Sequence, residues 1–83
     1  METIRTTAEN VISGDIVVDK QNDLVYRITE FARMASFVAF HAELESGNLN
    51  NWCRDFNTDF PGRGIRVFVP GATVYVKKSI FSA

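Results

Sequence analysis

Few residues in this chain could bind a metal or form a disulfide bond. The 83 residues include one cysteine, Cys53, and one histidine, His41. A single cysteine cannot form an internal disulfide, and one cysteine with one unrelated histidine does not make a zinc ligand set. The sequence therefore predicts a reduced thiol, no metal and no cofactor.

Long apolar runs and a targeting segment are also missing. No hydrophobic run approaches the roughly 20 residues that a membrane-spanning helix needs. The first residues lack the basic region and the continuous apolar stretch of a secretory signal. We therefore expect a cytoplasmic protein that does not enter a membrane.

Neither sign of charge dominates the chain. Nine lysine and arginine residues stand against ten aspartate and glutamate residues, for a net charge of −1. This balance gives no general attraction to a nucleic-acid backbone, so a nucleic-acid-binding surface would need segregated charges. No acidic residue follows Asp59. The basic residues after it are Arg63, Arg66, Lys77 and Lys78.

The chain does contain enough apolar surface for one small folded domain. Hydrophobic residues make up 46% of the sequence, which includes seven Phe, two Tyr and one Trp. A chain of 83 residues is near the lower limit at which one core suffices without disulfides or metals. We expect a single domain over residues 1–83.

Turn signals and apolar alternation predict short strands early in the chain. Residues 11–19 combine a turn at Gly14 with a β-branched apolar run that follows it. In the next segment Leu24, Tyr26 and Ile28 alternate with polar residues, which is typical of a strand with one buried face. The polar residues 20–23 between these segments predict a hairpin connection.

A similar pattern near the end predicts a closing hairpin. Residues 65–69 and 73–77 flank a turn at Pro70 and Gly71. The alternation places Ile65, Val67 and Val69 on the inward face, with Arg66 and Phe68 outward. The returning strand would turn its valines inward.

Residues 31–45 fit a helix or a strand. Alanine-rich composition favours a helix, but the helical period produces no single apolar stripe. If the segment is a strand that begins at Ser36, one of its faces carries Val38, Phe40, Ala42 and Leu44. We predict the strand.

Residues 46–64 form an insertion in which the helical period fits better. The apolar residues Leu49, Trp52, Cys53, Phe56 and Phe60 fall on one helical face, after Asn48 as an N-cap. We predict a short helix over residues 49–57. The alternative is a strand with Trp52, Arg54 and Phe56 on one face.

Together these elements predict a mainly β fold, a small SH3-like or OB-like barrel of four to six short strands with a helical insertion. The opening residues, with Gly14-Asp15, then Ile16-Val17-Val18 and later Val25-Tyr26-Arg27-Ile28, resemble SH3-like β-barrel proteins of phages and mobile elements. The resemblance covers about the first 30 residues, and it implies a barrel without an assigned chemistry.

No catalytic set of residues stands out. His41 has no nucleophile nearby in sequence, and Asp55 and Asp59 are two carboxylates without a third ligand. Gly62 and Gly64 around Arg63 lack the spacing of a phosphate-binding loop. We therefore expect a protein that is not an enzyme.

Binding surfaces remain. The aromatic residues of the closing hairpin stand beside cations, and bases can stack on such surfaces. The candidate binding residues are Arg63, Arg66, Phe68, Tyr75, Lys77 and Lys78, with Trp52 and Arg54 in the insertion. The purely structural interpretation is that Phe68 and Tyr75 form a cross-strand pair that stabilises the hairpin.

These observations lead to three hypotheses of function. The first is a non-enzymatic binding module, an accessory protein of a phage or mobile element that binds a host or phage protein and self-associates through an edge strand. The second is a single-stranded nucleic-acid-binding protein, and the third, with the least support, is a small-ligand binder or enzyme.

Overall fold

The computed structural model describes residues 3–60 and 62–77, with the side chains of residues 59 and 60 excepted. The strands in this part of the chain are β1 (Ile4–Thr7), β2 (Ile16–Asp19), β3 (Leu24–Arg33), β4 (Val38–Gly47), β5 (Asn57–Phe60), β6 (Arg63–Phe68) and β7 (Thr73–Lys77). A 3₁₀ turn covers Ala8–Asn10, and helix α1 covers Leu49–Asp55. The predicted mainly β fold with a helical insertion is confirmed, although the described strands number seven and not four to six.

All of these strands belong to one antiparallel sheet in the order β1-β7-β2-β3-β4-β6-β5. Strands β1 and β5 are its edges, and no ladder joins them within the described residues. The predicted closing hairpin is wrong, because β6 pairs with β4 and β5 whereas β7 pairs with β1 and β2. The turn between them forms, with Ala72 N donating to Val69 O at 3.0 Å, but both sides of each strand are taken by other neighbours.

Strands β3 and β4 form the longest hairpin, with ten residues in each strand. Their most buried positions follow a period of two, at Leu24, Tyr26, Ile28, Val38, Phe40 and Ala42. The alternation predicted for both strands is confirmed, and the helical alternative for residues 31–45 is excluded. Strand β3 ends at Arg33, and Met34 N donates to Phe37 O at 2.8 Å in the connection.

Gly47 brings the end of β4 against the turn between β2 and β3. Its φ is 124°, in the region that favours glycine, and a β-carbon there would collide with the carbonyl oxygen of Asp23. The next residue, Asn48, donates its N–H to that same oxygen at 2.8 Å. The start of α1 is therefore fixed beside the β2–β3 turn.

Helix α1 begins where the sequence predicts. The Asn48 side chain accepts a hydrogen bond from Asn51 N at 3.1 Å, as an N-cap does. Trp52 and Phe56 are buried, but Leu49 and Cys53 are exposed, so the apolar face is narrower than predicted. No helix among the described residues has the length and apolar character to cross a membrane.

An aromatic cluster joins α1 to the sheet. The Trp52 and Phe56 rings stack with centroids 3.8 Å apart, and the Tyr26 ring meets Phe56 edge-on at 4.9 Å. Each such pair contributes about 0.5–1.5 kcal/mol beyond its area burial. The short helix, which has little intrinsic stability, is held by this packing.

The opening residues are joined to β3 through Asp15. This residue is 2% exposed, and its carboxylate accepts a hydrogen bond from Ile12 N at 3.0 Å. Ile28 N donates to Asp15 O at 2.9 Å, and Gly14 N donates to Ile28 O at 2.8 Å. The turn predicted at Gly14 is confirmed and continues the pairing of β2 with β3.

Candidate functional site

The face of strand β6 that points to the core is the one that the sequence predicted to point outward. Arg66 and Phe68 point inward, whereas Ile65, Val67 and Val69 are 39%, 57% and 65% exposed. The cause lies at Gly64, on the same face as Arg66: a β-carbon there would stand 2.9 Å from the Phe56 Cβ. Because the Phe56 side chain occupies this space, the inward face is the one that carries Gly64.

The predicted hairpin surface is thereby divided. Tyr75 and Lys77 lie on β7 and alternate with buried valines, and β7 does not neighbour β6. Arg63 is exposed and lies on the face of β6 away from the core. Phe68 and Tyr75 are not cross-strand partners, and Lys78 lies outside the described residues. Arg66, Phe68 and Tyr75 nevertheless line one cavity, whereas Arg63 lies on the opposite face of β6, so the structure brings together only part of the predicted set.

Arg66 instead stacks on two aromatic rings. Its guanidinium carbon lies 4.5 Å from the Phe68 centroid and 5.7 Å from the Phe56 centroid. Such cation–π contacts contribute about 0.5–2 kcal/mol as the cation becomes desolvated. Phe68 packs in turn edge-on against Phe40, with centroids 5.6 Å apart. The stacking explains why an arginine is tolerated on the inward face.

Tyr26 provides the polar partner of Arg66 inside the fold. Its side chain is 1% exposed, and its hydroxyl faces the Arg66 guanidinium. Burial raises the pKa of Tyr26 well above its ordinary value of 10.0, and Arg66 opposes this rise only in part. The phenol therefore stays protonated and can donate a hydrogen bond within the site.

Asp19 completes the charged part of this region. Its carboxylate lies 4.0 Å from Arg66 Nη1, and the two side chains are 22% and 26% exposed. It accepts hydrogen bonds from Asn22 N at 3.2 Å and from Asn22 Nδ2 at 2.8 Å. The hydrogen bonds of Asp19 thus go to Asn22, and Arg66 is held at a longer distance.

Arg54 connects the helix to this network. Its guanidinium pairs with Asp55 at 2.9 and 3.2 Å and donates to the Asn22 side chain at 3.0 Å. The hydrogen bond from Arg54 lowers the pKa of the Asp55 carboxyl, and the same pairing raises the pKa of Arg54. Asn51 Nδ2 adds a bond to Asn22 O at 2.8 Å. Arg54, predicted as a binding residue, has a structural role in attaching α1 to the β2–β3 turn.

Trp52 is a core residue and not a surface contact. It is 0% exposed, so the prediction that it meets a partner is wrong for the folded state. Its apolar surface is used by Tyr26 and Phe56. The indole Nε1 has no hydrogen-bond partner among the described residues.

A partly open cavity of about 570 Å³ lies beside Arg66. The residues that line it include Val17, Asp19, Tyr26, Arg66, Phe68 and Val74. They come from β2, β3, β6 and β7, so strands that are distant in the sheet order face one another across it. The sequence signal for this site was Arg66 within an apolar strand, but the residues around it become neighbours only through the sheet.

The other candidates do not assemble into a reactive group. His41 is exposed on the outer face of β4, opposite Ile65 in the ladder. Asp55 is paired with Arg54, and the Asp59 side chain lies outside the described part of the chain. Within the described residues no group of three or more metal-ligating side chains is present.

An exposed apolar surface includes Ile65, Val67 and Val69, which the sequence predicted to face the core. We call it the outer patch, and it consists of Phe37, Ala39, Ile65, Val67 and Val69. Ala39 pairs with Val67 in the β4–β6 ladder, and Phe37 and Val69 directly adjoin the last pair of that ladder, Val38 with Phe68. The outer patch and the cavity thus lie on opposite faces of β6.

Comparison with protein families, with curated proteins and with solved structures finds no match to this chain.

Proposed function

We propose that this protein is a non-enzymatic interaction module that binds another protein through the outer patch. The observation that carries the proposal is the exposure of Ile65, Val67 and Val69, at 39%, 57% and 65%. Contiguous exposed apolar surface is uncommon on a small soluble domain unless a partner covers it.

The surroundings of the outer patch support a protein partner. The next positions of the β4–β6 ladder carry His41, Glu43 and Arg63 on the same face. An apolar centre bordered by charged side chains is the usual composition of a protein–protein interface. A nucleic-acid backbone would instead favour cations at the centre of the surface.

The proposal includes two finer points. The first is that the sheet curls into an SH3-like barrel, which is supported by the way β6 and β7 line one cavity without pairing. The second is that the protein is an accessory protein of a phage or mobile element with a host or phage protein as its partner. This second point depends on the resemblance of the opening strands alone.

The test compares two variants that each place a glutamate at an exposed apolar position. Val67→Glu changes the outer patch, whereas Leu49→Glu changes helix α1, where the leucine is 50% exposed. Each tagged protein captures partners from an extract of the source organism, and mass spectrometry quantifies them. A partner should be retained by the wild type and by Leu49→Glu, and reduced about 10-fold or more by Val67→Glu.

Both variants should keep the wild-type melting temperature, because the substituted side chains are exposed. Equal capture by all three proteins would overturn the proposal. Light scattering shows whether the purified wild type self-associates. The result tells whether the partner is a second copy of the chain or a different protein. Self-association that survives Val67→Glu would point to the edge strands β1 and β5 in place of the outer patch.

Single-stranded nucleic-acid binding is the alternative, and it has less support because Arg63 lies on the opposite face of β6 from Arg66 and Phe68. Labelled single-stranded DNA and RNA titrated at low and moderate salt test it. Submicromolar binding that weakens steeply with salt, and that an Arg66→Glu/Lys77→Glu variant loses, would replace the protein-partner proposal. Absence of binding at low salt would remove the alternative.

A further inference from the structure

The cavity beside Arg66 faces away from the outer patch and is a separate site. We propose that it binds a carboxylate carried on an apolar body, with Arg66 as the residue that pairs with the carboxylate. The proposal goes beyond binding of a protein at the outer patch, and each can fail without the other.

Arg66 is suited to this role by how it is held. The Arg66 guanidinium carbon lies over the Phe68 ring, 4.5 Å from its centroid, and this cation–π contact does not consume the N–H groups. Those N–H groups form a planar fork that matches the two oxygens of a carboxylate. Among the described residues the nearest carboxylate, that of Asp19, is 4.0 Å away, beyond the roughly 3.2 Å of a good N–H···O hydrogen bond. A ligand carboxylate can therefore form the closer pair.

Asp19 limits the charge of the ligand. Its two hydrogen bonds from Asn22, at 3.2 and 2.8 Å, hold its carboxylate in place beside the cavity. A doubly charged phosphate bound to Arg66 would meet this negative charge at short range. Lys20 also lines the cavity, so two cations face one protein carboxylate, and a single ligand carboxylate balances the remaining positive charge. The site therefore favours monoanions.

The remaining walls define the body of the ligand. Val17 and Val74 are almost fully buried, and with Phe68 they give the cavity an apolar side. Its volume of about 570 Å³ lies within the roughly 300–1,000 Å³ of small-molecule pockets. A short aliphatic or aromatic acid fits this description, and so does the carboxyl-terminal residue of a peptide entering from the open side.

The binding test uses ¹⁵N-labelled full chain and NMR titration with matched probes. The probes are 3-phenylpropionate, its neutral amide, an acetylated dipeptide ending in phenylalanine, the amide of that dipeptide, and inorganic phosphate. We expect saturable shifts at cavity residues with one or both acids, and at least about 10-fold weaker binding of the matching amide. A preference for the dipeptide acid would identify a peptide terminus, and a preference for phenylpropionate a free acid.

Three substitutions then test the assignment of Arg66. Arg66→Gln should weaken binding of the preferred acid about 10-fold or more, whereas Arg63→Gln, the same change three residues away on the outer face, should not alter it. Asp19→Asn should strengthen the binding, because it removes the competing charge while keeping one of the two oxygens that accept from Asn22. Opposite effects of Arg66→Gln and Asp19→Asn cannot arise from loss of structure alone.

The proposal is overturned if acids and amides bind equally, if phosphate binds more tightly than the acids, or if no probe binds at millimolar concentration. It is also overturned if a folded Arg66→Gln protein keeps wild-type affinity. Should Arg66→Gln fail to fold, Arg66→Lys keeps the charge without the fork and should still weaken binding. An unchanged affinity in a folded Arg66→Lys protein would then count against the proposal.

Discussion

Gly64 lies directly beneath Phe56, and a β-carbon at position 64 would stand 2.9 Å from the Phe56 Cβ. Gly64→Ala should therefore force a backbone or side-chain shift and lower the free energy of unfolding by about 1–3 kcal/mol. Urea unfolding measures the change. Gly71→Ala is the control, since nothing lies within 4 Å of a β-carbon at that position. Equal free energies of unfolding for Gly64→Ala and Gly71→Ala would show that Phe56 can move aside without loss of stability.

Trp52→Ala should lower the free energy of unfolding by about 3–5 kcal/mol, because the indole is fully buried between aromatic rings. For a domain of this size such a loss approaches its whole stability. The adjacent Cys53 is exposed, and Cys53→Ala should change the stability by less than about 0.5 kcal/mol. A small effect of Trp52→Ala in thermal unfolding would contradict the packing of α1 on the sheet.

Asn48→Ala should destabilise the protein by about 1 kcal/mol, because it removes the side-chain acceptor at the start of α1. Asn48→Asp should retain the stability, since a carboxylate accepts the same hydrogen bond and favours the helix N-terminus. Asn50→Ala, at an exposed position within the helix, is the matched control. The prediction fails if urea unfolding gives Asn48→Ala the same free energy of unfolding as Asn50→Ala.

The wild-type protein should lose stability at alkaline pH through Tyr26, and Tyr26→Phe should remove this loss. Burial raises the pKa of Tyr26 above its ordinary value of 10.0, so the folded protein keeps the phenol protonated while the unfolded chain ionises. A group with a higher pKa in the folded state contributes its stability fully below the unfolded pKa and loses it as the pH rises.

Between about pH 10 and about pH 11 the free energy of unfolding of the wild type should therefore fall by about 1 kcal/mol more than that of Tyr26→Phe. Urea unfolding across this interval provides the comparison, and the difference between the two proteins cancels the titration of other groups. Parallel pH curves would mean that the Tyr26 hydroxyl ionises within the fold.

The sequence predicts the local features of this fold well. Alternation in β3 and β4 and the Asn48 cap depend on neighbouring residues, and the structure agrees with both. The face of β6 could not be predicted in this way. Three β-branched residues next to an arginine ordinarily indicate an apolar inward face, but here the inward face carries Gly64, packed against Phe56 and Thr58.

Strand pairing and the candidate site were missed for the same reason. The turn at Pro70 and Gly71 forms, but which strands pair depends on distant segments, and β7 pairs with the opening strands. Asp19, Tyr26 and Phe56 meet Arg66 only after the sheet has assembled. No spacing along the chain brings these four residues together.

The two faces of β6 also bear on how the protein could misfold. A shift of one residue against β4 would turn every side chain of the strand over, burying Ile65 and Val67 and placing Arg66 in water. That arrangement satisfies the hydrophobic pattern of the strand, so hydrophobicity alone does not select the native register. Gly64 does, because it is the residue on β6 that leaves room for Phe56. A side chain at position 64 would therefore favour the shifted register. In that register β6 would have neither an exposed apolar face nor an inward cation.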